Sequence, residues 1–115
     1  LHEKVERLCD ELRKSCYPSL DPTAHRVRVF DGYIAEGYGR TTPEQLGFIR
    51  DVASLEGLLL DPVYTGKALF GLVQEIRKGT FRKGERILFV HTGGVFGLFP
   101  FREAFSKEVF DRQPG

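Results

Sequence analysis

The sequence predicts an α/β protein, part of an open, mostly parallel sheet that is flanked by helices. Apolar residues recur at spacings of three and four in several stretches, the period of a helix that buries one face. Residues 87–90 are apolar throughout, which is typical of a strand covered on both faces. Helical and strand-like stretches alternate along the chain, and this order indicates the α/β class.

Composition limits the classes of partner. The 115 residues are 41% hydrophobic and 29% charged, the balance of an ordinary globular protein. The chain has seventeen Lys and Arg and sixteen Asp and Glu, a net charge of +1. This charge does not favour binding to nucleic acid or to an anionic membrane. No apolar run approaches the ~20 residues that span a bilayer. We therefore expect neither nucleic acid nor a membrane as a partner.

The first predicted helix begins without a start signal. Its apolar stripe already includes Leu1, and no N-cap residue precedes that position. The chain also contains no Met. We therefore expect residues 1–115 to be the C-terminal segment of a longer chain. The stripe consists of Leu1, Val5, Leu8, Cys9, Leu12 and Cys16.

The two cysteines lie on that stripe. Cys9 and Cys16 are two helical turns apart, about 10 Å, which is too far for a disulfide within one helix. They also lack the CxxC spacing of a metal or redox pair. We interpret both as core residues of a reduced, cytoplasmic protein without a metal site.

The second stretch combines a strand, a loop and a helix start. Val27 and Val29 alternate with Arg26 and Arg28, the period of a half-exposed strand. Residues 36–39 (Glu-Gly-Tyr-Gly) form an irregular loop, in which the glycines either admit a ligand to the backbone or simply connect elements. A helix then begins with a capping box at Thr42, Pro43 and Gln45 and ends at Gly57. Its predicted buried face consists of Leu46, Ile49, Val52 and Ala53.

Two further helices follow. Asp61 and Pro62 are predicted as the N-cap and first residue of a helix that ends at Gly79. Its predicted inward residues are Ala68, Leu69, Leu72, Val73 and Ile76. The last helix is predicted from Phe101, Ala104, Phe105 and Val109.

Two segments are candidate ligand sites. Ligands bind at the carboxyl ends of strands in open α/β sheets, and the strand predicted at 87–90 is followed by His-Thr-Gly-Gly, where Thr92 offers a hydroxyl. A small-residue turn without function is the alternative. Tyr64 and Lys67 stand at a predicted helix N-terminus, a place that favours anions. The alternatives there are a core aromatic and a solvated lysine, and Ala68 excludes a Walker A loop.

Together, the segments at 36–39, 60–68 and 90–94 are similar to one family. They resemble the C-terminal part of D-cysteine desulfhydrase and its relative 1-aminocyclopropane-1-carboxylate deaminase, pyridoxal-phosphate enzymes with the tryptophan-synthase β-subunit fold. The resemblance runs from Val29 to Phe99. It fades at Pro100, where the family continues a helix.

This resemblance implies a cofactor, pyridoxal 5'-phosphate, a small amino-acid substrate and a homodimer of the complete protein. It places residues 1–115 in the larger, cofactor-binding domain. The Schiff-base lysine belongs to the family's N-terminal portion, and Lys67 matches a non-catalytic lysine, so the chain alone is expected to be inactive. The implied catalytic residues are Tyr38 and Tyr64, and the implied cofactor-binding residues are Thr92, Thr65, Gly93 and Gly94.

The two threonines favour the desulfhydrase. Thr92 matches the residue that faces the pyridine nitrogen in that enzyme, whereas Thr65 matches a Glu in the deaminase. A carboxylate keeps the ring nitrogen protonated, but a hydroxyl can only hydrogen-bond, which favours β-elimination of D-cysteine. The alternatives are the deaminase, another amino-acid lyase of the family, and a non-catalytic binding or assembly module.

Overall fold

The computed structural model describes residues 1–21, 27–35 and 37–110, with side chains through residue 106. The predicted positions Arg26 and Glu36, and the side chain of Val109, lie outside the described residues. The chain forms two compact units, Leu1–Asp31 and Gly32–Gly115, and all the predicted site residues lie in the second.

The first unit contains helix α1, His2–Cys16, as predicted. Arg13 and Lys14 form ion pairs with the Asp10 carboxylate, at 2.9 and 2.6 Å. The predicted buried stripe is wrong for this unit, since α1 contains no buried residue and Cys16 is exposed, while Cys9 is half-buried. The reason is physical: an apolar stripe is buried only where another element packs on it.

Helix α2, Pro43–Glu56, confirms its predicted start and stop. The Gln45 amide nitrogen donates to Thr42 Oγ1 at 3.2 Å, and the Thr42 nitrogen donates to Gln45 Oε1 at 3.1 Å. Gly57 ends the helix in the left-handed conformation, with φ 66°. Leu46 and Ile49 are buried as predicted, and Val52 and Ala53 are half-buried.

Helix α3, Thr65–Arg77, buries a different face from the predicted one. Ala68 and Ile76 are exposed, and Leu69, Leu72 and Val73 are only half-buried. Apolar residues surround much of this helix, so periodicity alone did not identify the packed side. The buried side includes two glycines, which let neighbouring groups approach, and consists of Thr65, Gly66, Lys67, Phe70, Gly71 and Glu75.

Aromatic rings pack on this glycine side of α3. The Phe70 ring meets Tyr33 and Phe48 edge-on, with centroids 6.2 and 5.4 Å apart. A Cβ atom at Gly71 would lie 2.8 Å from Tyr33 Cδ2, so glycine is what admits that ring. This packing joins α3 to the loop that carries Tyr38.

The predicted N-cap and first helical positions, Asp61 and Pro62, are wrong: α3 begins at Thr65, with Tyr64 at the N-cap position. The Asp61 side chain nevertheless caps the start of the helix from further upstream. Asp61 Oδ2 accepts from the amides of Val63 and Tyr64 at 2.8 and 2.7 Å. Asp61 Oδ1 accepts from the Thr65 amide at 2.7 Å and from its hydroxyl at 2.6 Å. The carboxylate therefore satisfies amides that have no partner within the helix.

The predicted strands are not assigned in the part of the chain that the structure describes. Residues 27–30 and 87–90 are neither helix nor strand, and Leu88 is 87% exposed. A strand covered on both faces needs neighbouring strands and flanking helices, which these residues do not find. The α/β sheet therefore remains a prediction for this chain.

The second unit ends with a 3₁₀ helix, Val95–Phe101, and helix α4, Arg102–Phe110. Helix α2 packs against both α3 and α4. The buried apolar core consists of Leu46, Ile49, Leu60 and Phe70. Among the residues with assigned structure, no helix is both long and apolar enough to cross a membrane.

The close contact at Gly66 generates the first prediction. A Cβ atom there would lie 2.5 Å from Ile49 Cδ1 and 2.7 Å from the Asp61 carbonyl oxygen. Because a backbone atom cannot yield easily, we expect Gly66→Ala to lower the free energy of unfolding by about 1–3 kcal/mol. Urea denaturation measures the change. Gly32→Ala is the matched control, since no atom lies within 4 Å of its Cβ; equal stability of both variants would show that Gly66 is not tightly packed.

The second prediction concerns the charge of Asp61. In Asp61→Asn an NH2 group replaces an oxygen that accepts two hydrogen bonds, so we expect a loss of ~1–3 kcal/mol in unfolding free energy at neutral pH. Asp51→Asn, at an exposed carboxylate of α2, is the control and should change stability by less than about 0.5 kcal/mol.

The effect of Asp61→Asn should depend on pH. Burial raises the pKa of Asp61, but hydrogen bonds from the Thr65 hydroxyl and from the Thr65, Tyr64 and Val63 amides outweigh it and lower the pKa below its usual value. Such a carboxylate stabilises the fold above its unfolded pKa of ~4, and this stabilisation is lost as pH falls through the lower folded pKa. The stability gap between wild type and variant should therefore narrow only below about pH 4. A gap independent of pH in this acid range would contradict the assignment.

Candidate functional site

The structure brings the two predicted catalytic tyrosines together. The Tyr64 hydroxyl donates to the Tyr38 hydroxyl at 3.2 Å. Their rings meet edge-on, with centroids 6.0 Å apart and planes inclined by 63°. Tyr38 is 82% exposed and Tyr64 60% exposed, so the pair is open to a ligand.

The pairing also fixes the protonation of Tyr64. The hydrogen bond to Tyr38 raises the pKa of Tyr64, and burial and the nearby negative charge of Asp61 act in the same direction. Tyr64 is therefore a neutral hydroxyl at physiological pH. Because it donates to Tyr38, the Tyr38 proton can be directed to another acceptor.

The loop that carries Tyr38 is tied down on both sides. Gln45 Nε2 donates to the Tyr33 carbonyl oxygen at 3.0 Å, and Thr41 Oγ1 donates to the Pro62 carbonyl oxygen at 2.8 Å. Tyr33 also donates through its hydroxyl to Glu75 Oε1. These bonds therefore hold the two ends of the loop, at Tyr33 and Thr41, on either side of Tyr38.

Glu75 anchors the start of this loop as an ionised group. Thr80 Oγ1 donates to Glu75 Oε2 at 2.6 Å, and Lys78 Nζ donates to Glu75 Oε1 at 3.0 Å. Hydrogen bonds from Thr80, Tyr33 and Lys78 lower the pKa of Glu75 to about 2. The carboxylate is therefore occupied by its neighbours rather than offered to a ligand.

Lys67 is not the solvated lysine that the sequence also allowed. It is 8% exposed, and its Nζ donates to the carbonyl oxygens of Ile34 and Gly37 at 2.9 and 3.3 Å. Periodicity did not reveal this role, because a lysine in the first turn of a helix is usually exposed.

Thr65 is placed beside the tyrosines, but its hydroxyl faces Asp61. Thr65 is 3% exposed, donates its proton to Asp61 Oδ1 and accepts from the Asp61 amide at 2.9 Å. A threonine hydroxyl has a single proton, so Thr65 is not available as a donor to a ligand.

The turn of Thr92, Gly93 and Gly94 is exposed, with the two glycines in left-handed conformations of φ 88° and 95°. His91 fixes it, since Nδ1 accepts from the Gly93 amide at 3.0 Å and Nε2 lies 2.9 Å from the Leu59 carbonyl oxygen. A single tautomer, protonated on Nε2, satisfies both contacts. A Cβ atom at Gly94 would lie 3.1 Å from Asp61 Cγ, so this turn lies directly against the cap of α3.

These residues fit one side of a planar aromatic cofactor such as pyridoxal phosphate. Thr92 offers an exposed hydroxyl, no atom lies within 4 Å of a Cβ built at Gly93, and the tyrosine pair is open. Lys67 is unsuited to covalent attachment, because its ammonium group is buried on two carbonyls. Among the described residues no group of three or more His, Cys, Asp or Glu could hold a metal ion.

An apolar groove of about 460 Å³ lies elsewhere, between α2 and the C-terminal helices. It includes Leu59, Leu98 and Phe99 in its lining, and none of the predicted site residues. The candidate site is therefore an open surface beside α3 rather than this groove.

Known proteins resemble the chain over most of its length. D-cysteine desulfhydrase from Klebsiella pneumoniae (strain 342) is 47% identical over 75 residues, which are 65% of this chain and 23% of that protein. Putative 1-aminocyclopropane-1-carboxylate deaminases from Pyrococcus abyssi and Pyrococcus horikoshii are 39% and 51% identical over 101 and 74 residues. These matches cover 88% and 64% of this chain, and 29% and 22% of the relatives.

A solved structure agrees with these relatives. The crystal structure of an ACC deaminase homologue matches 91% of this chain and 30% of its own, with a TM-score of 0.65 and 38% identity. No family model matches the chain. The chain thus spans less than a third of the length of the relatives it matches.

The resemblance seen in the sequence is confirmed. The chain is therefore homologous, over less than a third of their length, to proteins named D-cysteine desulfhydrase and 1-aminocyclopropane-1-carboxylate deaminase.

Proposed function

We propose that the complete protein containing this chain is a pyridoxal-phosphate-dependent lyase that converts D-cysteine and water to pyruvate, ammonia and hydrogen sulfide. One observation supports the choice of reaction: of Thr92 and Asp61, the two described groups beside the 92–94 turn that could face a ring nitrogen, the exposed one is a neutral hydroxyl. Thr92 is exposed there, whereas the carboxylate of Asp61 is 2% exposed and accepts four hydrogen bonds.

The cofactor, when bound, would supply an electron sink for the substrate Cα. Thr92 would hydrogen-bond the pyridine nitrogen without protonating it, since a hydroxyl does not give up its proton at neutral pH. Gly93 and Gly94 would let the ring approach the backbone. The chain thus contributes the wall that faces the nitrogen edge of the ring.

The tyrosine pair would handle a proton at the leaving group. Tyr64 donates to Tyr38, which leaves the Tyr38 proton for the sulfur atom as its bond to Cβ breaks. The raised pKa of Tyr64 keeps its own hydroxyl protonated, so that it remains a donor to Tyr38. The residues of this chain therefore assist the departure of the β-substituent.

The second candidate is the deaminase. It is favoured by a relative of that name from Pyrococcus abyssi, which matches 88% of this chain. A non-catalytic module of the same fold is the alternative from another class. The proposal also includes two features of the complete protein. Residues 1–115 form the C-terminal segment of its cofactor-binding domain, and the complete protein is a cytoplasmic homodimer.

The complete protein, expressed from its gene, discriminates these functions. We expect pyruvate from D-cysteine at a higher kcat/KM than 2-oxobutyrate from 1-aminocyclopropane-1-carboxylate. A preference for the cyclopropane substrate would establish the deaminase. Absence of both products, together with absence of pyridoxal phosphate binding, would establish the module.

The role of Thr92 gives a separate prediction. Thr92→Val keeps the shape but removes the hydroxyl, so we expect a loss of about 1 kcal/mol, or roughly fivefold weaker binding of pyridoxal phosphate and slower elimination. Thr92→Ser keeps the hydroxyl and is the matched control, which should bind as wild type does. Equal cofactor affinity in the Val and Ser variants would show that Thr92 is only a turn residue.

A further inference from the structure

We propose that Lys67 is the positioning residue for Tyr38: its ammonium group fixes the peptide bond directly before that tyrosine. The inference rests on the proposed function for its catalytic consequence, and on geometry alone for the positioning. Lys67 Nζ donates to the carbonyl oxygen of Gly37 at 3.3 Å. That carbonyl belongs to the same planar peptide unit as the Tyr38 nitrogen.

Lys67 makes a second hydrogen bond, so that one ammonium group links two carbonyls of the loop; we call this pair of bonds the clamp. Its Nζ also donates to the Ile34 carbonyl oxygen at 2.9 Å, three residues before Gly37. The backbone bonds within the same turn are long, at 3.4 Å from the Gly37 amide to Ile34 and 3.3 Å from the Arg40 amide to Gly37. The lysine therefore provides the shortest described bond to the Ile34 carbonyl and a bond to the Gly37 carbonyl as short as that of the Arg40 amide, and it alone of these donors joins the two carbonyls.

The loop needs such a clamp because its backbone is unusual. Ala35 has φ 56°, which is uncommon for a residue with a side chain, and Gly37 and Gly39 have φ 125° and 71°. A loop of this kind has many alternative conformations if nothing selects one. Tyr38 itself is 82% exposed, so its own packing does little to hold it.

Burial of the lysine explains why the clamp is stiff. Lys67 is 8% exposed in the first turn of α3, and the Asp61 cap orders that turn. Its neighbours Tyr64 and Thr65 receive their positions from the same cap. The start of α3 thus positions both tyrosines of the pair. It holds Tyr64 through the backbone of the helix start, and it holds Tyr38 through Lys67.

A double-mutant cycle on the complete holoenzyme tests the catalytic consequence. We expect Lys67→Met to lower kcat/KM for D-cysteine by up to about 100-fold, the effect of a small misplacement. The two carbonyls keep their backbone partners, so the variant should fold; Lys67→Gln is a second variant that keeps a polar group in the same space. If Lys67 acts through Tyr38, Lys67→Met should cause no further loss in the Tyr38→Phe background.

Losses that multiply in the double variant, or a Lys67→Met enzyme as active as wild type, would overturn the proposal. Lys83→Met is the matched control, because this lysine is exposed in a turn and should leave kcat/KM unchanged. A loss of activity in Lys83→Met equal to that in Lys67→Met would equally count against a specific role.

Hydrogen exchange separates this proposal from the proposed function. In Lys67→Met the amides of residues 37–40 should exchange faster than in wild type, while those of residues 69–75 within α3 stay protected. Unchanged exchange at 37–40 would overturn the clamp whatever the activity. If wild type has neither lyase activity, the proposed function is wrong, and faster exchange confined to residues 37–40 would still support the clamp.

Discussion

The Asp61 carboxylate is the group to which the parts of the candidate site are joined. It accepts hydrogen bonds from three backbone amides and from the Thr65 hydroxyl. It also lies against Gly94, in the turn that follows the apolar run at 87–90. Helix α3 starts next to this carboxylate, and the start of the helix determines where Tyr64 and Lys67 lie. A buried carboxylate is costly unless it is fully hydrogen-bonded, so the four donors and the charge depend on one another.

Signals between near neighbours in the chain predicted helix starts and stops better than apolar periodicity predicted packing. The capping box at Thr42 and the capping by the Asp61 side chain could be predicted because they depend on neighbours three or four residues away. The buried face of α3 could not, because apolar residues lie on several sides of the helix and the packed side carries two glycines and polar residues beside Phe70. The strand at 87–90 depends on pairing with other strands, which the described residues do not provide.

For the candidate site, the resemblance implied the residues, and the structure shows which neighbours hold them. Tyr38 and Tyr64 were expected from the motifs, and their hydroxyls lie 3.2 Å apart. The sequence contained no signal for Lys67, since a lysine in a first helical turn normally points to water. It also contained no signal that the Thr65 proton is directed to Asp61, which leaves Thr92 as the exposed hydroxyl donor of the threonine pair.

A crystal structure of the complete protein with pyridoxal phosphate tests the central claim most directly. The account predicts that Asp61 remains buried on the Val63, Tyr64 and Thr65 amides while the cofactor ring contacts Thr92 and the tyrosine pair. An Asp61 carboxylate turned from these amides towards the ring nitrogen would contradict it, because that carboxylate would then be the electronic partner of the cofactor rather than the anchor of the site.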